Sequence, residues 1–211
     1  MRHLVMISGN LGVGKTTLAE LIAKRLGWNL IAESLTDNPY LPDFYADMKT
    51  WSFHLQVYFL GVRAERHLAA CSLPQSAILD RSVYEDSQVF ARVLNHLGYI
   101  TLRDFETYLR LANLVEKKLR PPDLVLYLKA PVDTLVDRIR ARGPRSDRGV
   151  SREYLSAVQS AYDNWISTFD MCPVIPVDTT VTDYTRDTER LDTLIESMVR
   201  SLSPEQQSPL S

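Results

Sequence analysis

The chain has 211 residues, 45% of them apolar and 24% charged, enough for one globular α/β domain with a sizeable core. A net charge of −2 gives no general attraction for nucleic acid or anionic membrane, so any anion site must be local. Two cysteines exclude a disulfide framework and suit a reducing compartment, taken here as the cytoplasm. The opening residues run straight into a glycine-rich loop, which argues against a signal peptide, and no apolar run reaches the roughly 20 residues that span a bilayer.

Apolar runs at residues 4–8, 29–32, 77–80, 124–128 and 174–177 predict five buried strands. Amphipathic stretches at 16–26, 51–70, 102–119, 131–142 and 151–169 predict the helices between them. Pro131 suits a first helical turn, and Pro121-Pro122 ends the preceding helix. This alternation implies a parallel sheet with helices on both faces, whose ligands lie at the carboxyl ends of the strands. Residues 1–200 read as one domain, and 201–211 as a polar, proline-containing tail without periodicity.

Gly9-Asn10-Leu11-Gly12-Val13-Gly14-Lys15-Thr16 satisfies G-x4-G-K-[ST] between a strand and a helix. Such a loop aims successive N–H groups and a helix N-terminus at one anion, with Thr17 following in the same turn. Lys15 neutralises the β- and γ-phosphates, and the Thr16 hydroxyl can hold Mg²⁺. The loop names a nucleoside triphosphate and nothing more. No N-K-x-D tetrapeptide marks a guanine-reading switch, and no apolar strand ends in Asp-Glu as in motor ATPases.

Glu33 follows the second strand, and Asp80-Arg81-Ser82 the third, so both stand at the carboxyl edge near the loop. Alone, Glu33 reads as a helix cap and Asp80-Arg81 as a structural ion pair. Beside a phosphate loop they supply what phosphoryl transfer to a hydroxyl requires: a carboxylate for the O–H, a carboxylate for the metal and a cation on the transferring group. Arg138 and Arg142 share a helix face, with Arg140, Arg145, Arg148 and Arg152 nearby. Gly143-Pro144 then breaks the helix, which predicts a basic lid over the donor; a solvated basic surface is the plain alternative. Gln56 and Arg63, seven apart on one helix, and Asp86 and Phe90, four apart on the next, could read a base edge and stack on the ring. Without further context Gln56 and Arg63 read rather as an exposed helix face, and Phe90 as a core residue.

The set resembles the deoxyribonucleoside kinases, and among them the bacterial deoxyadenosine/deoxycytidine kinases. The carrying segments are the phosphate loop, Glu33, Asn38-Pro39-Tyr40-Leu41, Phe44-Tyr45, Trp51-Ser52-Phe53-His54-Leu55-Gln56, Asp80-Arg81-Ser82-Val83-Tyr84-Glu85-Asp86, the arginine-rich stretch 138–147, and Asn164-Trp165-Ile166. The resemblance implies a five-stranded parallel P-loop kinase fold with an arginine-rich lid. It implies ATP and Mg²⁺, a homodimer, Glu33 as general base on the 5′-hydroxyl, and Asp80 with Thr16 at the metal. Arg81 would contact the reacting phosphate, Tyr45 and Asp147 the sugar 3′-hydroxyl, and Gln56, Arg63 and Asp86 the base, with Phe90 beneath it. Two positions depart from the family pattern: Pro144 stands where lids usually carry arginine, with Arg145 next to it, and Asp147 replaces the usual Glu. Arg63 with Asp86 ranks deoxyadenosine first, then deoxycytidine and deoxyguanosine. A nucleoside monophosphate kinase and a nucleotide-binding regulator without turnover are the alternatives.

Overall fold

The computed structural model describes residues 2–33, 38–143 and 150–203. Five parallel strands form one sheet: β1 (Leu4–Gly9), β2 (Asn29–Ile31), β3 (Ala77–Asp80), β4 (Leu124–Lys129) and β5 (Val174–Asp178), in the order β2-β3-β1-β4-β5. β1 is central, with Leu4 opposite Ala77 on one side and Val5 opposite Leu124 on the other. It is buried along its whole length, as a strand covered on both faces must be.

The pleat divides the core. Met6, Val125 and Tyr127 face one layer, built from α3 (Met48–Ser72), α6 (Leu102–Glu116) and α8 (Arg152–Ser167). Val5, Ile7, Leu124 and Leu126 face the other, built from α1 (Lys15–Leu26), α7 (Val132–Ala141) and α9 (Thr188–Ser201). The chain stays on one side of β1 through β3 and crosses to the other at β4, so the switch point lies at the carboxyl end of β1.

All five predicted strands are present, within a residue or so of their expected ends. Three helices differ. The helix expected from residue 51 starts at Met48, because Asp47 caps it by accepting from Thr50 N. Pro131 is the cap of α7 and not its first turn: its ring sets φ at −56° but leaves ψ extended at 144°. α6 stops at Glu116, short of 119. Two helices were not read from the sequence: α2 (Leu41–Ala46), and α9, whose Leu191, Leu194, Ile195 and Met198 keep amphipathic spacing. After β3, α4 (Val83–Glu85) passes through a π turn at Asp86–Phe90 into α5 (Ala91–His96).

Candidate active site

β1 ends in Gly9, whose φ is +145° and where a Cβ would lie 2.5 Å from the Leu128 carbonyl oxygen; only glycine fits so close to β4. Lys15 folds back over the loop, and its Nζ donates to Gly9 O and Asn10 O, each at 2.9 Å. Burial, then the positive charge of Arg81, lowers its pKa to about 7. Asn10 is itself buried, donating to Leu155 O of α8 and accepting from Leu11 N. Gly12, Val13, Gly14 and Thr17 line a groove with Arg138, Arg142 and residues 179–185. Arg138 donates to Thr179 Oγ1 and O and, at 3.5 Å, to Val13 O, so it braces the groove wall against the loop. Arg142 caps the end of α7 at the rim.

Thr16 Oγ1 donates to Asp80 Oδ2 at 2.5 Å, while Asp80 Oδ1 is buried without a hydrogen-bond partner. A hydroxyl beside a half-satisfied carboxylate is a fitting donor pair for Mg²⁺, which usually takes one or two protein oxygens and completes its shell with phosphate and water. No group of three or more His, Cys, Asp or Glu able to hold a metal occurs among the described residues.

Next to Asp80 the backbone is strained. Arg81 takes φ of +71°, an arrangement that costs a side-chain-bearing residue on the order of 1–2 kcal/mol. Its N–H is tied to Ile7 O, and its guanidinium turns back to donate from Nε to Glu33 Oε2 at 2.7 Å and to cover the Phe90 ring. Glu33 also accepts from Arg63 Nη2, while Arg63 Nη1 reaches Asp86 Oδ1. Burial alone would raise the Glu33 pKa, but Arg81 and then Arg63 outweigh it and bring it down to about 2.

Glu33, Tyr45, Gln56, Arg63, Arg81, Asp86 and Phe90 therefore line one cavity, joined by Leu11 from the phosphate loop. Its volume is about 70 Å³, room for about two waters. Gln56 Oε1 and Asp86 Oδ2 are buried there without partners. Asp147, Pro144, Arg145 and Arg148 lie outside the described residues. Sequence reasoning missed Leu41, Phe44, Leu55, Phe59 and Tyr154, which complete the apolar lining, with the Phe59 ring 4.3 Å from the Arg63 guanidinium carbon. It also missed Glu85 as a functional candidate, although Ser82-x-x-Glu85 is a capping-box pattern.

No helix among the described residues is long and apolar enough to cross a membrane. The family model for deoxynucleoside kinases matches residues 5–202. The deoxyadenosine/deoxycytidine kinase of Bacillus subtilis (strain 168) is 34% identical over 92% of this chain and 91% of its own. The deoxyadenosine kinase of Dictyostelium discoideum is 37% identical over 82% of this chain and 69% of its own. Deoxyadenosine kinase from M. mycoides, solved with the products dCMP and a flexible dCDP, superposes with a TM-score of 0.81 at 29% identity, covering 94% of this chain and 99% of that one. The same enzyme with bound dATP gives 0.80 at 28%, covering 94% and 100%. The chain belongs to the deoxynucleoside kinase family and is thus a nucleotide-binding phosphotransferase of the P-loop kinase fold.

Proposed function

We propose that the chain transfers the γ-phosphoryl group of ATP to the 5′-hydroxyl of a deoxyribonucleoside, with deoxyadenosine the preferred acceptor ahead of deoxycytidine and deoxyguanosine, as a step of nucleotide salvage. The observation that carries this reading is the acceptor cavity. One carboxylate, Glu33, stands beside Arg81 and the phosphate loop, while two open acceptors, Gln56 Oε1 and Asp86 Oδ2, wait deeper in the same space. Open acceptors suit a base that presents an exocyclic amine. Thymine has none.

The chain's own groups divide the work. Glu33 orients the 5′-hydroxyl and takes its proton; the arginines that hold its pKa down to about 2 belong to the empty site, and releasing one of them makes it a stronger base. Arg81 and Lys15 face the charge on the transferring group, with Arg142 joining from the end of α7. Arg138 holds the donor groove wall near the loop. Tyr45 and Asp147 hold the sugar 3′-hydroxyl, and Phe90 supports the ring. Mg²⁺, held by Thr16 and Asp80, would neutralise phosphate charge. Because the cavity is far below the roughly 300 Å³ of a usual small-molecule site, the acceptor must widen it as it enters.

A monophosphate acceptor fits less well. The two cations lining the cavity, Arg63 and Arg81, are already matched by Glu33 and Asp86. The working form is a homodimer joined through α3 and α6, acting in the cytoplasm, and the reaction involves neither nucleic acid nor membrane. A panel of nucleosides and monophosphates at low concentration with ATP tests the reading. Deoxyadenosine should give the highest kcat/KM. Thymidine in first place overturns the role of Asp86, and a monophosphate in first place overturns the reaction.

A further inference from the structure

Three carboxylates of the site, Glu33, Asp80 and Asp86, either line the acceptor cavity or pair with the Thr16 hydroxyl. A fourth, Glu85, does neither, although it is wholly buried. Its Oε1 accepts from Ser82 N at 3.0 Å and from Ser8 Oγ at 3.1 Å, the residue directly before the phosphate loop. Its Oε2 accepts from the hydroxyl of Tyr162 on α8 and lies 4.0 Å from Arg81 Nη1. A buried carboxylate is expensive without a cation; Arg81 is the one within ion-pair distance, and the Lys15 charge is felt from farther away. Arg81, conversely, has one firm anionic contact, through Nε to Glu33, while its Nη1 is buried without a hydrogen bond.

We infer that Glu85 and Tyr162 are positioning residues, which hold the Arg81 guanidinium in place when Glu33 turns to the acceptor hydroxyl. The inference rests on the proposed reaction, since it concerns the step in which Glu33 exchanges an arginine for an alcohol. At that step Arg81 loses its closest counter-charge and needs another that does not move. Glu85 qualifies because the start of α4, the end of β1 and α8 all donate to it. Tyr162 packs against Tyr127 and meets the edge of Phe90, the ring on which Arg81 lies, so the phenol and the guanidinium are braced by the same aromatic group. Burial, and then the neighbouring Glu85 charge, push the Tyr162 pKa far up, which keeps the hydroxyl a neutral donor.

The test is steady-state kinetics of Glu85→Gln and Tyr162→Phe with deoxyadenosine and ATP, each also made in an Arg81→Lys background. In the otherwise unsubstituted chain both should lower kcat roughly 10- to 100-fold, as for loss of an outer partner that orients an active group, with both KM values within about 3-fold. In the Arg81→Lys background each should cost less than about 3-fold more, because the group they position is gone. Thr193→Ala, which removes a hydroxyl on α9 that donates to Glu189 O of its own helix, should leave kcat unchanged. If Glu85→Gln does not fold, Tyr162→Phe keeps the aromatic packing and is judged by the same criteria. Unchanged kcat, a loss confined to KM, or full additivity with Arg81→Lys overturns the inference while leaving the reaction standing. Absence of nucleoside phosphorylation by the unsubstituted chain overturns both.

Discussion

Arg63 and Glu33 form an ion pair, with side chains 6% and 12% exposed, that joins two ends of one cavity, the ends proposed to read the base and to meet the reacting hydroxyl. The same guanidinium grips Asp86, so one side chain ties both proposed ends together. Removing it strands the buried Asp86 carboxylate and leaves Glu33 to Arg81 alone, and breaking such a pair typically costs about 3–5 kcal/mol. Arg63→Gln should therefore unfold at lower urea and show reduced kcat/KM. With one of its two cations gone, the Glu33 pKa rises from about 2, because burial then opposes Arg81 alone. An acid limb of kcat/KM should then enter the accessible pH range, where the unsubstituted chain has none. A pH–rate profile without that limb would separate Arg63 from Glu33.

Glu33→Gln keeps the shape of the cavity and removes the proton acceptor. Turnover should fall by roughly two to four orders of magnitude with nucleotide binding intact, as measured by kcat beside a calorimetric Kd. Stability gives a second reading. The folded pKa of Glu33 lies below its ordinary value of 4.5, so its contribution is fully present above pH 4.5 and is lost as pH falls toward 2. The Gln variant should lose that dependence, up to about 1.4 kcal/mol per pH unit within the window. Equal slopes for the two proteins would contradict the buried pairing.

Lys15 links donor binding to protons. With a pKa near 7 in the empty loop, it is mostly neutral at pH 8 and mostly charged at pH 6. A triphosphate in the loop favours the charged form. Binding at pH 8 should therefore take up close to one proton, and binding at pH 6 almost none. Calorimetry in two buffers of different ionisation enthalpy measures this, and no uptake at pH 8 would mean the empty loop already holds a charged lysine.

The phosphate loop and the five strands were legible because each signal is local: a fixed spacing of glycines, or an apolar run between polar breaks. Glu33 and Asp80-Arg81 could be placed at one edge because each follows a strand of a parallel sheet, whereas Asp86 rested on helix spacing and the family resemblance. What could not be read was their pairing. That Arg63 reaches from α3 to Glu33, 30 residues away in sequence, depends on how α3 packs over β3. The left-handed backbone of Arg81 and the π turn at Asp86–Phe90 have no residue signature; tertiary contacts impose both. Glu85 was hidden by its own success, since a fully satisfied buried carboxylate looks like part of a helix start.

The dimer expectation has a definite surface. α3 and α6 pack together, and Leu68, Leu111 and Leu114 on them are 53%, 44% and 65% exposed. Paired copies would remove the exposed part of these side chains from water, each contributing about half of the roughly 1.5–3 kcal/mol of a full burial. Leu111→Glu combined with Leu114→Glu should yield a folded monomer by sedimentation. A mass that stays dimeric would move the interface elsewhere.

Two glycines of the phosphate loop separate steric exclusion from backbone strain. At Gly9 an added Cβ meets the Leu128 carbonyl oxygen at 2.5 Å, and main chain at the centre of a sheet cannot yield. At Gly14 a Cβ meets nothing within 4 Å, but φ is +99°. Gly14→Ala therefore carries only the strain of that backbone, on the order of 1–3 kcal/mol, and should fold with weakened nucleotide binding. Gly9→Ala must in addition push β1 and β4 apart, breaking the Gly9–Leu128 register and shifting the Lys15 acceptor at Gly9 O. It should be clearly the more destabilising of the two, with triphosphate binding lost in whatever fraction folds. Chemical denaturation and a binding titration on both variants decide the order. If Gly14→Ala proved the worse, strain in the loop would outweigh the fit of β1 against β4.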